Sequence, residues 1–88
     1  MITHDLKTWP EPFQAIWEGK KLFELRRNDR GFRVGDVLRL REWIPDTREY
    51  TGRCIQAEVT FVLHGGEFGL PEELVVLSLN PKVVKEGA

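Results

Sequence analysis

The sequence predicts an α+β domain: a small, curled, mostly antiparallel sheet or barrel of about five strands, with one helix packed at one end. Three observations carry this. Short apolar-alternating runs recur between turn residues, as in Cys54 to Leu63, where Ile55, Ala57, Val59, Phe61 and Leu63 alternate with Gln56, Glu58 and Thr60. Only one segment, around Phe13, Ile16 and Trp17, spaces its apolar residues as a helix does. Eighty-eight residues hold one core and too few helices for parallel βαβ units.

Taken in order, Thr3 to Thr8 reads as a short first strand around Leu6, and Trp9-Pro10-Glu11-Pro12 breaks it, since proline lacks the amide donor. Thr8 is placed to cap the helix that follows, with Pro10 and Glu11 in its first turn and Gly19 at its end. Lys21 to Arg27 is the next strand. Alternation sets Lys21, Phe23, Leu25 and Arg27 on one face and Leu22, Glu24 and Arg26 on the other, so neither face is purely apolar. Asn28 to Gly31 and Phe32 to Asp36 are turns. A third strand holds Val37, Leu38, Leu40 and Trp43, and Pro45 to Gly52 is a polar hairpin connection to Cys54–Leu63. His64 to Pro71 is too glycine-rich for regular structure, Glu73 to Leu79 is a last apolar strand, and residues 82–88 read as a frayed tail. The whole chain, 1–88, is a single domain with its core in about 4–79.

Composition narrows the function classes. The charged fraction of 31% and apolar fraction of 41% exclude a disordered chain. No apolar run approaches the roughly 20 residues that cross a membrane, and the start Met-Ile-Thr-His-Asp shows no secretory signal. A single cysteine, Cys54, excludes an intrachain disulfide and a cysteine zinc cluster. A reduced, cytoplasmic protein is expected. Nothing in the sequence calls for a metal or an organic cofactor, because the two histidines stand without ligand spacing.

Charge is unevenly placed. The net value is −1, yet Lys20 to Arg41 carries eight cations against Glu24, Asp29 and Asp36. Such a face attracts phosphate in spite of the total, or is a set of solvated arginines on strand faces. Within it, Gly19-Lys20-Lys21-Leu22-Phe23-Glu24-Leu25-Arg26 concentrates charge where a half-buried strand normally carries inert polar residues. Lys21 beside Glu24 has the makings of an acid/base pair, and Arg26 can fork onto a phosphate or a base edge. The same residues can equally form an ion pair that tidies a strand face, worth about 0–1 kcal/mol if exposed. Lys7 and Arg30 extend the basic set, and His4 reads as an ordinary surface histidine. Trp17 belongs to the core stripe, whereas Trp9 and Trp43 flank turns, either as platforms for a base or as caps on the barrel ends.

The series Trp-Pro-x-x-Phe, Gly-Lys-Lys-x-x-Glu-x-Arg, Asn-Asp-Arg, Phe-x-Val-Gly-Asp-x-Leu, Glu-Trp and Tyr-Thr-Gly-Arg resembles the ASCH domains of the PUA-like superfamily. The likeness runs from His4 to about Leu79 and is nearest to a bacterial and phage branch known only as a domain of unknown function, of the DUF3850 type. The resemblance implies a small PUA-like β-barrel with a cleft near Gly19-Lys20-Lys21, and binding of RNA or of a modified nucleotide. On that reading Lys7, Trp9, Lys20, Lys21, Glu24, Arg26 and Arg30 contact the nucleic acid. Some ASCH proteins are small amidohydrolases on acylated cytidine, with a lysine and, three residues later, a threonine. Lys21 matches the lysine and Glu24 replaces the threonine, so an enzyme of this type would use Lys21 and Glu24 with water as nucleophile. A third expectation is a phage-type accessory protein that binds a host protein through its tryptophan-rich and acidic surfaces.

Overall fold

The computed structural model describes residues 1–87. Ala88, the end of the expected tail, lies outside the described residues. The chain runs β1 (Thr3–Thr8), α1 (Pro10–Trp17), β2 (Phe23–Arg27), β3 (Val37–Ile44), β4 (Glu49–His64), β5 (Leu74–Leu79) and β6 (Val84–Glu86). The sheet order is β1-β3-β4-β5-β2, with β6 paired to β4. Every pairing is antiparallel except β1 with β3. The α+β reading therefore holds, with six strands among the described residues where about five were expected, and with the barrel left open between β1 and β2.

β4 curls the sheet. A straight strand of its 16 residues would be roughly 50 Å long, longer than the 37 Å greatest extent of the molecule. It bends at an irregularity between Val59 and Phe61, pairing β3 and β6 before it and β5 after it. Its inward residues Ile55, Ala57 and Val59 meet Leu38 and Leu40 of β3, Val75 and Leu77 of β5, and Phe13 and Ile16 of α1. Trp17 is half-buried against this core.

Three local expectations are corrected. Thr8 does not cap the helix: Trp9 occupies that position without a side-chain cap, and Thr8 is the buried last residue of β1. His4 is not a surface residue. It is buried beside Phe32, with Nε2 2.9 Å from Asp36 Oδ2, and Asp36 also accepts from the amides of Ile2 and Arg33. Gly35-Asp36 is thus more than a turn; its carboxylate ties the N-terminus to the approach to β3. The tail is not frayed throughout, since Val84–Glu86 pairs with Cys54–Gln56. None of the helices is long and apolar enough to cross a membrane among the described residues.

Candidate functional site

The site begins at the end of α1. Gly19 follows the C-cap Glu18 with φ +76°, a left-handed turn that a side chain would strain. The amides of Lys20 and Lys21 then both bond the carbonyl of Ala15, at 2.8 and 3.1 Å. This folds the Gly19-Lys20-Lys21 corner back on the helix and delivers Lys21 just ahead of β2. Among the described residues, strand β2 is an edge strand paired only with β5.

The alternation read from the sequence holds in β2, with an inverted polarity. Phe23 and Leu25 are about half exposed, whereas Glu24 is only 3% exposed. Burying a carboxylate is costly unless it is paired and hydrogen-bonded. Glu24 is both: Lys21 Nζ donates to Oε1 at 2.8 Å and Arg26 Nε donates to Oε2 at 2.8 Å. Lys21 Nζ also donates to the Phe23 carbonyl at 2.7 Å and lies 4.6 Å from the centre of the Phe23 ring. Each carboxylate oxygen keeps a further acceptor direction, and no hydrogen bond occupies Arg26 Nη1 among the described residues.

These groups form the floor of a cleft of ≈ 420 Å³, whose walls include Lys7, Thr8, Trp9, Pro12, Phe23 and Leu25. Trp9 stands at its rim, 59% exposed, and is not packed as a barrel cap. Trp43 is partly covered, with Lys7 Nζ 4.6 Å from its ring centre. The cleft is therefore mostly apolar in its walls, with one fixed acceptor and two cationic donors at its base.

Of the residues singled out from the sequence, Lys7, Trp9, Lys21, Glu24 and Arg26 converge here. Lys20 does not; it is exposed and pairs with Glu18 at 3.0 Å. Arg30 lies beyond the cleft and donates to the Asp5 carbonyl at 3.0 Å. The sequence reading missed Thr8, whose hydroxyl accepts from Arg26 Nη2 at 3.2 Å inside the same cleft. Its signal was the strict exposed–buried alternation of β1, which puts Thr8 on the inward face with His4 and Leu6.

Glu42, Thr51 and Arg53, from the Glu-Trp and Tyr-Thr-Gly-Arg motifs, form a separate cluster. Glu42 is buried and accepts from Arg53 Nε at 2.9 Å, from Arg53 Nη2 at 3.0 Å and from the Thr51 hydroxyl at 2.7 Å. The Arg53 guanidinium, 4.8 Å from the Trp17 ring centre, also donates to Gln14 on α1. The fork from Arg53 holds the Glu42 carboxyl below the usual carboxylate range. This cluster fastens helix to sheet. Cys54 is buried, and its burial pushes the thiol up, away from nucleophilic use.

Residues 3–79 match the model of a family described as "Domain of unknown function (DUF3850)". The chain is also 39% identical over 59 residues to a protein of Escherichia phage P2 described as "Uncharacterized 12.9 kDa protein in GpA 3'region". That match takes in 67% of this chain and 52% of the phage protein, so the chain spans about half the length of this relative.

Proposed function

This chain belongs to the DUF3850 family, and we propose that it binds a nucleic acid, RNA or a modified nucleotide, by taking one base into the Glu24 cleft. The observation that carries the reading is a buried carboxylate, fixed by Lys21 and Arg26, at the foot of an open, aromatic-rimmed cleft. A nucleobase matches that combination. Its faces are apolar and stack on Trp9, while an exocyclic amino group donates to Glu24 and ring acceptors face Lys21 and Arg26. The likeness of the Gly-Lys-Lys and Val-Gly-Asp motifs to the PUA-like ASCH domains supports the same ligand class. Single-stranded RNA labelled with a fluorophore and titrated by anisotropy, at low and near-physiological salt, tests the reading. Saturable, salt-sensitive binding that weakens in Glu24→Gln and Trp9→Ala is expected. Binding indifferent to both substitutions would overturn it.

One observation favours a second reading, hydrolysis of an acylated nucleoside. Lys21 and Glu24 are 2.8 Å apart in a cleft to which Thr8 also brings a hydroxyl. Release of free carboxylate from an N-acylated cytidine, abolished in Lys21→Ala, would establish it.

A further inference from the structure

A second hollow, of ≈ 390 Å³, adjoins the cleft and shares Lys7 and Arg26 with it. Its other lining residues include Arg30, Arg41, Tyr50 and Asp5. Four cations thus surround one carboxylate in a chain whose net charge is −1. Even that carboxylate is engaged from outside the hollow, because Arg39 Nη1 donates to both Asp5 oxygens at 3.2 and 3.3 Å.

Two of these cations, Lys7 and Arg41, have no anionic partner among the described residues. Lys7 and Arg41 are register neighbours across the β1–β3 pairing, both on the outward face. Like charges set side by side on neighbouring strands repel. Lys7 lies against the Trp43 ring and Arg41 against the Tyr50 ring, the latter 3.8 Å from the ring centre. Neither pairs with a carboxylate among the described residues. Stacking on an aromatic ring orients a guanidinium and leaves its edge donors available. An anion between Lys7 and Arg41 would relieve the repulsion and use those donors.

We propose that this hollow is a phosphoryl subsite, taking the phosphate of the same nucleotide whose base enters the Glu24 cleft. The inference rests on the base-binding reading and sharpens it: the ligand is a phosphate-bearing nucleotide, not a free base or nucleoside. Arg41 forks onto two phosphate oxygens, Lys7 adds a point charge, and the Tyr50 hydroxyl donates a further bond. Because Lys7 and Arg26 line both spaces, base and phosphate are separated by one layer of side chains.

The test is a nitrogen-15 NMR titration of the full chain with inorganic phosphate, the four ribonucleosides and their 5′-monophosphates. It is run on the wild type, Arg41→Gln, Tyr50→Phe and Glu24→Gln. Inorganic phosphate is expected to move the Arg41 Nε–H and Tyr50 signals saturably, with about tenfold weaker binding in Arg41→Gln. Tyr50→Phe, which keeps the ring beneath Arg41, loses severalfold. A monophosphate is expected to bind at least about tenfold more tightly than its nucleoside. Phosphate and monophosphates that leave Arg41 and Tyr50 unmoved overturn the subsite. A nucleoside and its monophosphate binding equally, through Lys21 to Arg26 alone, overturn it too while the base reading stands. Phosphate that moves Arg41, with no nucleoside or monophosphate moving the Lys21 to Arg26 signals, keeps the subsite and removes the base reading.

Discussion

The guanidinium of Arg26, on β2, donates through Nη2 to the main-chain oxygen of Lys7, on β1, at 2.8 Å. These two strands are the opposite ends of the sheet order, so one side chain joins edges that no strand pairing closes. Arg30 repeats the device one step along β1, on the Asp5 oxygen. Arg26 consequently holds the sheet and the Glu24 carboxylate together. Arg26→Ala leaves Glu24 with one cation and strips two β1 acceptors. Since Arg26 is partly solvent-exposed, we expect a loss of about 1–3 kcal/mol, read from the urea midpoint. A variant as stable as the wild type would show that the seam closes without it.

The Glu42–Arg53 fork should matter more to stability and not at all to ligand. Arg53→Ala leaves the buried Glu42 with Thr51 alone and removes the contact to Gln14. Loss of one partner from a buried pair costs about 3–5 kcal/mol, and the partial exposure of Arg53 places it near the lower end. Thermal unfolding checks the cost, and a two-point RNA anisotropy series on the folded fraction checks the indifference.

Acid should unfold the protein through two carboxyls. The hydrogen bond from His4 is the main reason Asp36 titrates below its ordinary 3.8, and Arg53 holds Glu42 below its ordinary 4.5. A carboxyl whose folded pKa is depressed stabilises the fold fully above its unfolded value, and that contribution is lost as pH falls through the folded one. The urea midpoint is therefore expected to be level down to roughly pH 5 and to drop below it. Asp36→Asn should be less stable at neutral pH and should converge with the wild type in acid. Parallel curves for the two proteins would refute the assignment.

Gly65 is required for space. A Cβ there would meet the carbonyl oxygens of Pro71, Leu74 and Glu72 at 2.2, 2.6 and 2.7 Å. Backbone cannot step aside as a flexible side chain does, so Gly65→Ala should cost about 1–3 kcal/mol. Gly66→Ala offers a contrast by meeting only the Glu72 side chain at 3.6 Å, with its φ of +94° as the remaining penalty. Paired denaturation curves distinguish crowding from backbone strain.

The sequence made legible whatever depends on neighbours along the chain. The β1 span, the helix ended by Gly19, and the two faces of β2 all follow from local periodicity and turn chemistry. Which face of β2 turns inward did not follow, because Phe23 and Leu25 argue for one face and only the distant Lys7 and Thr8 contacts to Arg26 decide for the other. His4 and Asp36 are 32 residues apart, and their burial has no local signature. Strand β6 is a short, exposed run whose pairing depends on β4, some thirty residues earlier. The Gly-Lys-Lys to Arg26 segment was readable as a candidate site because so much charge in a half-buried strand is uncommon. The placement of Thr8, Arg41 and Tyr50 beside it needed the folded register.

In the proposed complex the ligand's base lies between Trp9 and Glu24. Tryptophan emission of the wild type, Trp9→Phe and Glu24→Gln, followed during titration with each of the four nucleoside 5′-monophosphates, tests it most directly. A saturable change with at least one of them is expected in the wild type. Most of it should be lost in Trp9→Phe, leaving at most the response of Trp43 beside Lys7, and Glu24→Gln should require about 10–100 times more ligand, the loss of one charge-assisted hydrogen bond. An unchanged emission with all four, or a change that persists in full in Trp9→Phe, would show that no base stacks on Trp9.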